Sequence, residues 1–125
     1  MNFNANLSIY LQIAEFVKDQ ILLNKWEKEE KIPSVRDLAV ELQVNPNTIM
    51  RAYDLLQQQG IIYNRRGLGN YVSADAGEKI RTIRKENFIQ KELPVFFKNM
   101  QLLDVRFDEV ERLYLAYKNE SIKTK

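Results

Sequence analysis

The sequence predicts a mainly α-helical fold in which three helices are closed by a β-hairpin and a small helical unit follows. Three observations predict it. Residues 33–60, PSVRDLAVELQVNPNTIMRAYDLLQQQG, carry helical apolar spacing twice, interrupted at Gln43 and Val44. Directly after them, residues 61–66 read as a strand, 67–70 as a Gly-rich turn and 71–73 as the return strand. From Glu78 the chain becomes charged and helical, and Ile89, Leu93, Phe96, Met100 and Leu103 recur at spacings of 4, 3, 4 and 3. Two short helices around a tight turn, followed at once by a hairpin, make a winged helix-turn-helix. Its expected extent is residues 1–75, with a C-terminal helical dimerisation region over 76–125.

Taken in order, residues 7–25 form a long amphipathic helix that Asn6 or Ser8 can cap. Tyr10, Ile13, Ala14, Val17 and Ile21 make its main apolar stripe. Ile9, Phe16 and Leu23 make a second, which reads either as wider core packing or as a contact with the C-terminal helices or a second subunit. Trp26 is expected to pin the following loop as core. Glu27, Glu29 and Glu30 alternate with Lys25, Lys28 and Lys31, so they read as a solvated loop rather than a metal or catalytic cluster. Ser34 with Asp37 forms a capping box for the second helix, which buries Val35, Leu38, Ala39 and Leu42. Asn45 caps the third helix, Pro46 takes its first position, and Gly60 stops it.

The third helix turns Ile49, Ala52, Tyr53 and Leu56 inward, so Asn47, Met50, Arg51 and Asp54 face outward and Thr48 lies at the border. Side chains able to hydrogen-bond base edges or phosphates thus gather near the helix N-terminus, the end that helix-turn-helix proteins present to the major groove. An ordinary amphipathic surface helix would also have a polar outer face. The hairpin favours the first reading, because Arg65 and Arg66 stand beside its Gly-rich tip, within reach of a minor groove or phosphate.

Past residues 74–77, read as a linker, Lys79, Arg81, Arg84 and Lys85 form a basic cluster, either a solvated helix face or phosphate contacts. The seam Ile89, Leu93, Phe96, Met100 and Leu103 is expected to pair two copies of the chain, with a kink or restart at Pro94. Phe88, Phe96, Phe97 and Phe107 could instead line a small-molecule pocket, although aromatic stripes at helical spacing more often serve core or interface. Asp108 with Glu111 caps a last helix carrying Val110, Leu113, Tyr114 and Tyr117 on one side, and residues 119–125 are expected to fray.

Composition narrows the function classes. The chain has 125 residues and neither cysteine nor histidine. That excludes disulfides, thiolate metal sites, cysteine nucleophiles and His-based acid–base chemistry. No enzyme activity, metal or cofactor is therefore expected. The N-terminus lacks a signal-peptide pattern and no apolar run is long enough for a membrane span, so a soluble, cytoplasmic protein is expected. Net charge is only +2, with eight Lys/Arg against nine Asp/Glu in residues 1–77 and eleven against eight in 78–125. A nonspecific DNA binder carries a broad basic surface; local cationic positions suit a specific binder that gains affinity by dimerising.

The runs IYLQIAEFVKDQILLNKW and KIPSVRDLAVELQVNPNTIMRAYDLLQQQGIIYNRRGLGNYV resemble the DNA-binding domain of GntR-family bacterial transcription regulators. VNPNT followed by RAY, and the short C-terminal region, are most similar to the YtrA-like subgroup. The resemblance covers residues 7–73. It implies a winged helix that binds double-stranded, palindromic operator DNA as a homodimer, most often as a repressor, frequently of transporter operons. By position it implies DNA contacts from Arg36, from Asn47, Thr48 and Arg51, and from Arg66 and Gly67; Ser34 and Arg65 are expected to join them. Two departures stand out: residues 25–30 replace a Gly–Pro–Gly type loop, and Met50 replaces a frequent basic residue. The alternative function for such a fold is a winged-helix module that meets another protein.

Overall fold

The structure, a computed structural model, describes residues 7–123, with side chains through Ser121. Its elements are α1 (Ile9–Leu22), α2 (Val35–Leu42), α3 (Pro46–Gln58), β1 (Ile62–Arg65), β2 (Gly69–Val72), α4 (Ala76–Asn87), a π-helical turn (Phe88–Glu92), α5 (Leu93–Leu102) and α6 (Phe107–Lys123). The chain divides into two compact units, Met1–Ile83 and Arg84–Lys125.

The first unit is built on the predicted apolar stripes. Ile13, Ala14, Val17 and Ile21 of α1, Leu38 and Ala39 of α2, and Ile49, Ala52, Tyr53 and Leu56 of α3 are all buried in one core. Each large side chain so enclosed contributes about 1.5–3 kcal/mol of burial. α1 and α2 both pack against α3, which makes α3 the shared centre of the unit. The α1 helix is shorter than the expected 7–25, and Ser8 precedes it without a side-chain cap bond; Asn6 lies outside the described residues. Trp26 packs against the core as expected, though half-buried, and stands edge-on to Phe16 at 6.2 Å.

The turn between α2 and α3 is held by local chemistry. Ser34 Oγ accepts from the Asp37 N–H at 3.1 Å, and Asn45 Oδ1 accepts from the Asn47 N–H at 2.8 Å. Between these caps Gln43 takes a left-handed conformation, φ +57°, which ends α2 and turns the chain. The Tyr53 hydroxyl, reaching back from α3, donates to the Pro33 carbonyl at 2.8 Å and fastens α3 to the start of α2.

β1 and β2 pair antiparallel, Ile62 opposite Val72, Tyr63 opposite Tyr71, Asn64 opposite Asn70 and Arg65 opposite Gly69. The turn is therefore Arg66, Gly67 and Leu68, one register tighter than the expected 67–70, and Gly67 sits at φ +77°. Ile62 and Val72 face the core. The loop after Trp26 adds a short third edge: Glu29 N–H donates to Val72 O, Val72 N–H to Glu30 O, and Ile32 N–H to Asn70 O.

Of the expected linker at 74–77, Ala74 and Asp75 form an exposed turn, and Ala76 and Gly77 instead begin α4. Ala76 and Ile80 are buried with the winged-helix core, so the first unit continues to Ile83, past the sequence-based boundary at 75/76. Gly77 made this stretch read as a break, yet it stands within the first turn of the helix.

In the second unit, Pro94 is the second residue of α5, directly after the π-helical turn. Proline lacks the N–H for an α-helical bond, and its ring crowds the carbonyl of Gln90 four residues earlier; a wider turn there relieves both. α6 begins at Phe107, so Asp108 lies in its first turn, accepting from the Glu109 N–H, rather than capping the helix. The backbone stays helical to Lys123, further than the expected fraying from Asn119. Among residues 84–121 no side chain is buried.

Candidate nucleic-acid interface

The outer face of α3 is set by its inner one. Because Ile49, Ala52, Tyr53 and Leu56 are buried, helical periodicity turns Asn47, Met50, Arg51 and Asp54 to solvent, and all four are exposed, with Thr48 half-buried at the border. The N-terminal turn of α3 also carries the positive end of the helix dipole, which favours a phosphate nearby. Asn47 offers an amide, Thr48 a hydroxyl and Arg51 a guanidinium. These are the groups that pair with adenine, with either base edge or phosphate, and with guanine O6/N7.

Arg51 is not a free-swinging side chain. Its Cζ lies over the Tyr10 ring of α1, 4.0 Å from the centroid. Arg36 is exposed in the first turn of α2, next to Ser34. Ser34 Oγ spends one acceptor lone pair on the Asp37 N–H, a bond that does not use its O–H donor.

In the hairpin the two arginines separate. Strand alternation places Tyr63, Arg65 and Tyr71 on the face opposite Ile62 and Val72. The two tyrosine rings stack with centroids 5.8 Å apart, and Arg65 lies 4.5 Å from the Tyr71 centroid. The Tyr63 hydroxyl donates to Glu29 Oε2 at 2.6 Å, which pushes its phenol above the ordinary tyrosine value. Arg65 is thus held along the wing, while Arg66 and Gly67 form the exposed tip. A hydrogen bond from Gln57 Nε2 to Asn70 Oδ1, 2.9 Å, ties the end of α3 to the wing. Sequence reasoning missed Tyr10, Gln57 and Asn70. The alternation of Tyr63, Arg65 and Tyr71 was the signal for the wing stack, whereas the Tyr10 contact is tertiary and left no local signature.

Of the basic cluster in α4, Lys79 is engaged by its own unit: its Nζ lies 3.3 Å from the Gly60 carbonyl and 3.4 Å from Asp75 Oδ2. The expected dimer seam lies in the second unit. Ile89, Phe96 and Leu103 are 47%, 43% and 73% exposed, and Leu93 and Met100 are half-buried. Among the described residues no helix is long and apolar enough to cross a membrane.

Known proteins resemble this chain in sequence and in fold. The profile of the family described as "Bacterial regulatory proteins, gntR family" matches residues 9–72. The HTH-type transcriptional repressor YtrA of Bacillus subtilis is 43% identical over 68 residues, covering 54% of this chain and 52% of that protein. A GntR-family transcriptional regulator from Bacteroides thetaiotaomicron superposes with TM-score 0.82 and 42% identity, covering 91% of this chain and 99% of its own. The DNA-binding domain of AraR, crystallised in complex with operator ORR3, superposes with TM-score 0.53 and 29% identity over 58% of this chain and 88% of that one.

Proposed function

The chain belongs to the GntR family of bacterial regulatory proteins, DNA-binding transcription regulators rather than enzymes, and from that premise we propose that it is a dimeric repressor acting in the cytoplasm. Two copies pair through the second unit and hold a palindromic operator, and bound protein blocks the promoter without any chemistry. A transporter operon is the proposed target, in keeping with the YtrA-like resemblance.

The observation that carries the DNA reading is the outer face of α3. Asn47, Thr48 and Arg51 combine one amide, one hydroxyl and one guanidinium at the exposed N-terminal half of a helix fixed from both sides by α1 and α2. Arg36 and Ser34 from α2, and Arg66 and Gly67 at the wing tip, supply backbone contacts that set register. Arg65, lying along the tyrosine pair, serves as a preset cation beside the tip. AraR's complex with its operator supports the same use of this fold here.

Pairing rests on the second unit's surface. Large apolar side chains stand exposed along α5 and α6, and no residue of 84–121 is buried. A self-complementary contact between two copies covers such a surface and closes the assembly with two-fold symmetry. Two-fold symmetry in the protein then calls for two half-sites about one helical turn, or a multiple, apart.

Selection of binding duplexes from a random library tests this directly. The expected result is enrichment of an inverted repeat, bound by two chains. Recovery of no preferred sequence would overturn the proposal and favour a winged helix that meets a protein partner.

A further inference from the structure

Arg51 carries a long, rotamer-rich side chain, and an exposed one must be ordered before it can read a base. The described residues show what orders it. No carboxylate among them pairs with Arg51, including Asp54 one turn further along α3. Its one recorded partner is the Tyr10 ring, with Cζ 4.0 Å from the centroid. Tyr10 is half-buried in the first turn of α1 and packs against the core that α1 shares with α3. The ring is therefore a fixed platform. Tyr10 lies outside the helix-turn-helix motif, thirty-five residues or more before α3 in the sequence, and no DNA-contact expectation includes it.

The chemistry of the contact separates two sides of the guanidinium. A Cζ only 4.0 Å from the ring centroid leaves room for the guanidinium to lie flat on the ring, attracted by its negative face. Its N–H donors lie in the plane, at the edge, and stay available. Bidentate donation to guanine O6/N7 uses that edge. A carboxylate partner would have consumed the same donors and would have to be displaced on binding. The tyrosine orients Arg51 without competing for what it must offer.

We infer that Tyr10 is a positioning residue for base reading: it holds the Arg51 guanidinium by its face, so that the donor edge is set before DNA arrives. The inference rests on the proposal that α3 reads bases through Arg51. Replacement of the ring by an aliphatic side chain keeps the apolar packing but frees the arginine.

The test measures binding of full-length variants to the duplex recovered by the selection above and to a random-sequence duplex. Tyr10→Leu is expected to weaken binding to the selected duplex about two- to fivefold, the range of an exposed cation–π contact, with less effect on random DNA. Tyr10→Phe keeps the aromatic face and should bind as the wild type does. In an Arg51→Ala background, Tyr10→Leu should cause no further loss. Unchanged binding by Tyr10→Leu, an equal loss in Tyr10→Phe, or a Tyr10→Leu loss that persists without Arg51 would overturn the inference while leaving the base-reading proposal intact. Failure of Arg51→Ala itself to weaken the selected duplex would overturn both. Should thermal melting show that Tyr10→Leu is unfolded, Tyr10→Met carries the test: it keeps an apolar side chain of similar reach but removes the aromatic face. Loss of discrimination supports the inference; binding equal to wild type overturns it.

Discussion

Phe96→Lys is the substitution that bears hardest on pairing through the second unit. Phe96 is 43% exposed, so a little under half of its burial remains to be gained in a dimer. Full burial of a phenylalanine contributes at most about 3 kcal/mol, which leaves about 1–1.3 kcal/mol per chain. A two-fold contact uses the residue twice, so removing it costs the dimer about 2–3 kcal/mol, before any penalty for placing an ammonium in an apolar seam. At 1.4 kcal/mol per tenfold, the dimer dissociation constant should rise about thirty- to hundredfold. Sedimentation velocity over a dilution series reads this directly. Val40→Lys is the control: Val40 is an exposed apolar residue of α2 in the first unit, 74% exposed, and its replacement should leave dimerisation unchanged. If Phe96→Lys dimerises as tightly as the wild type, the seam Ile89, Leu93, Phe96, Met100 and Leu103 is not the contact between copies, and the reasoning from exposed area fails.

Two further outcomes follow from the first unit. Arg66→Ala at the wing tip should reduce the salt dependence of binding by about one unit of slope, without changing which sequences are selected, because a phosphate contact carries no base information; titrations at several salt concentrations measure this. Tyr53→Phe should destabilise the fold by about 1 kcal/mol at neutral pH by orphaning the Pro33 carbonyl. Burial, and secondarily the charge of Glu41, raise the Tyr53 phenol above its ordinary 10.0 in the folded chain. A raised folded value means this stability is complete below the unfolded value and is lost as pH rises past it, so the gap between wild type and Tyr53→Phe should narrow above about pH 10 in thermal melts.

The helix-turn-helix was legible because its signals are local. Apolar periodicity fixed the inner faces of α2 and α3, and Ser34, Asn45 and Pro46 marked their starts with the bonds the structure contains. The hairpin was legible from its glycines, although its register was not: only the pairing shows Gly69 opposite Arg65 and the turn at residues 66–68. Ala76 and Gly77 misled because small residues and a glycine resemble a linker, while their helical state depends on Ala76 and Ile80 finding the core. Asp108 misled similarly: the helix begins one residue before it, so it lies two positions past Arg106, the residue that precedes α6. Pro94 signalled a disturbance but not its form as a π-helical turn. At the interface, exposure of Asn47, Met50, Arg51 and Asp54 followed from the period, but the seating of Arg51 on Tyr10 and of Arg65 on Tyr71 depends on how distant segments pack.

The central claim is that α3, duplicated by two-fold pairing, reads two half-sites on one operator. A hydroxyl-radical footprint of the wild-type protein on the selected duplex tests it most directly. Two protected windows should appear, symmetric about the centre and about one helical turn or a multiple apart, and both should fade together in Phe96→Lys. A single asymmetric window, or two windows that persist unchanged in that variant, would contradict it.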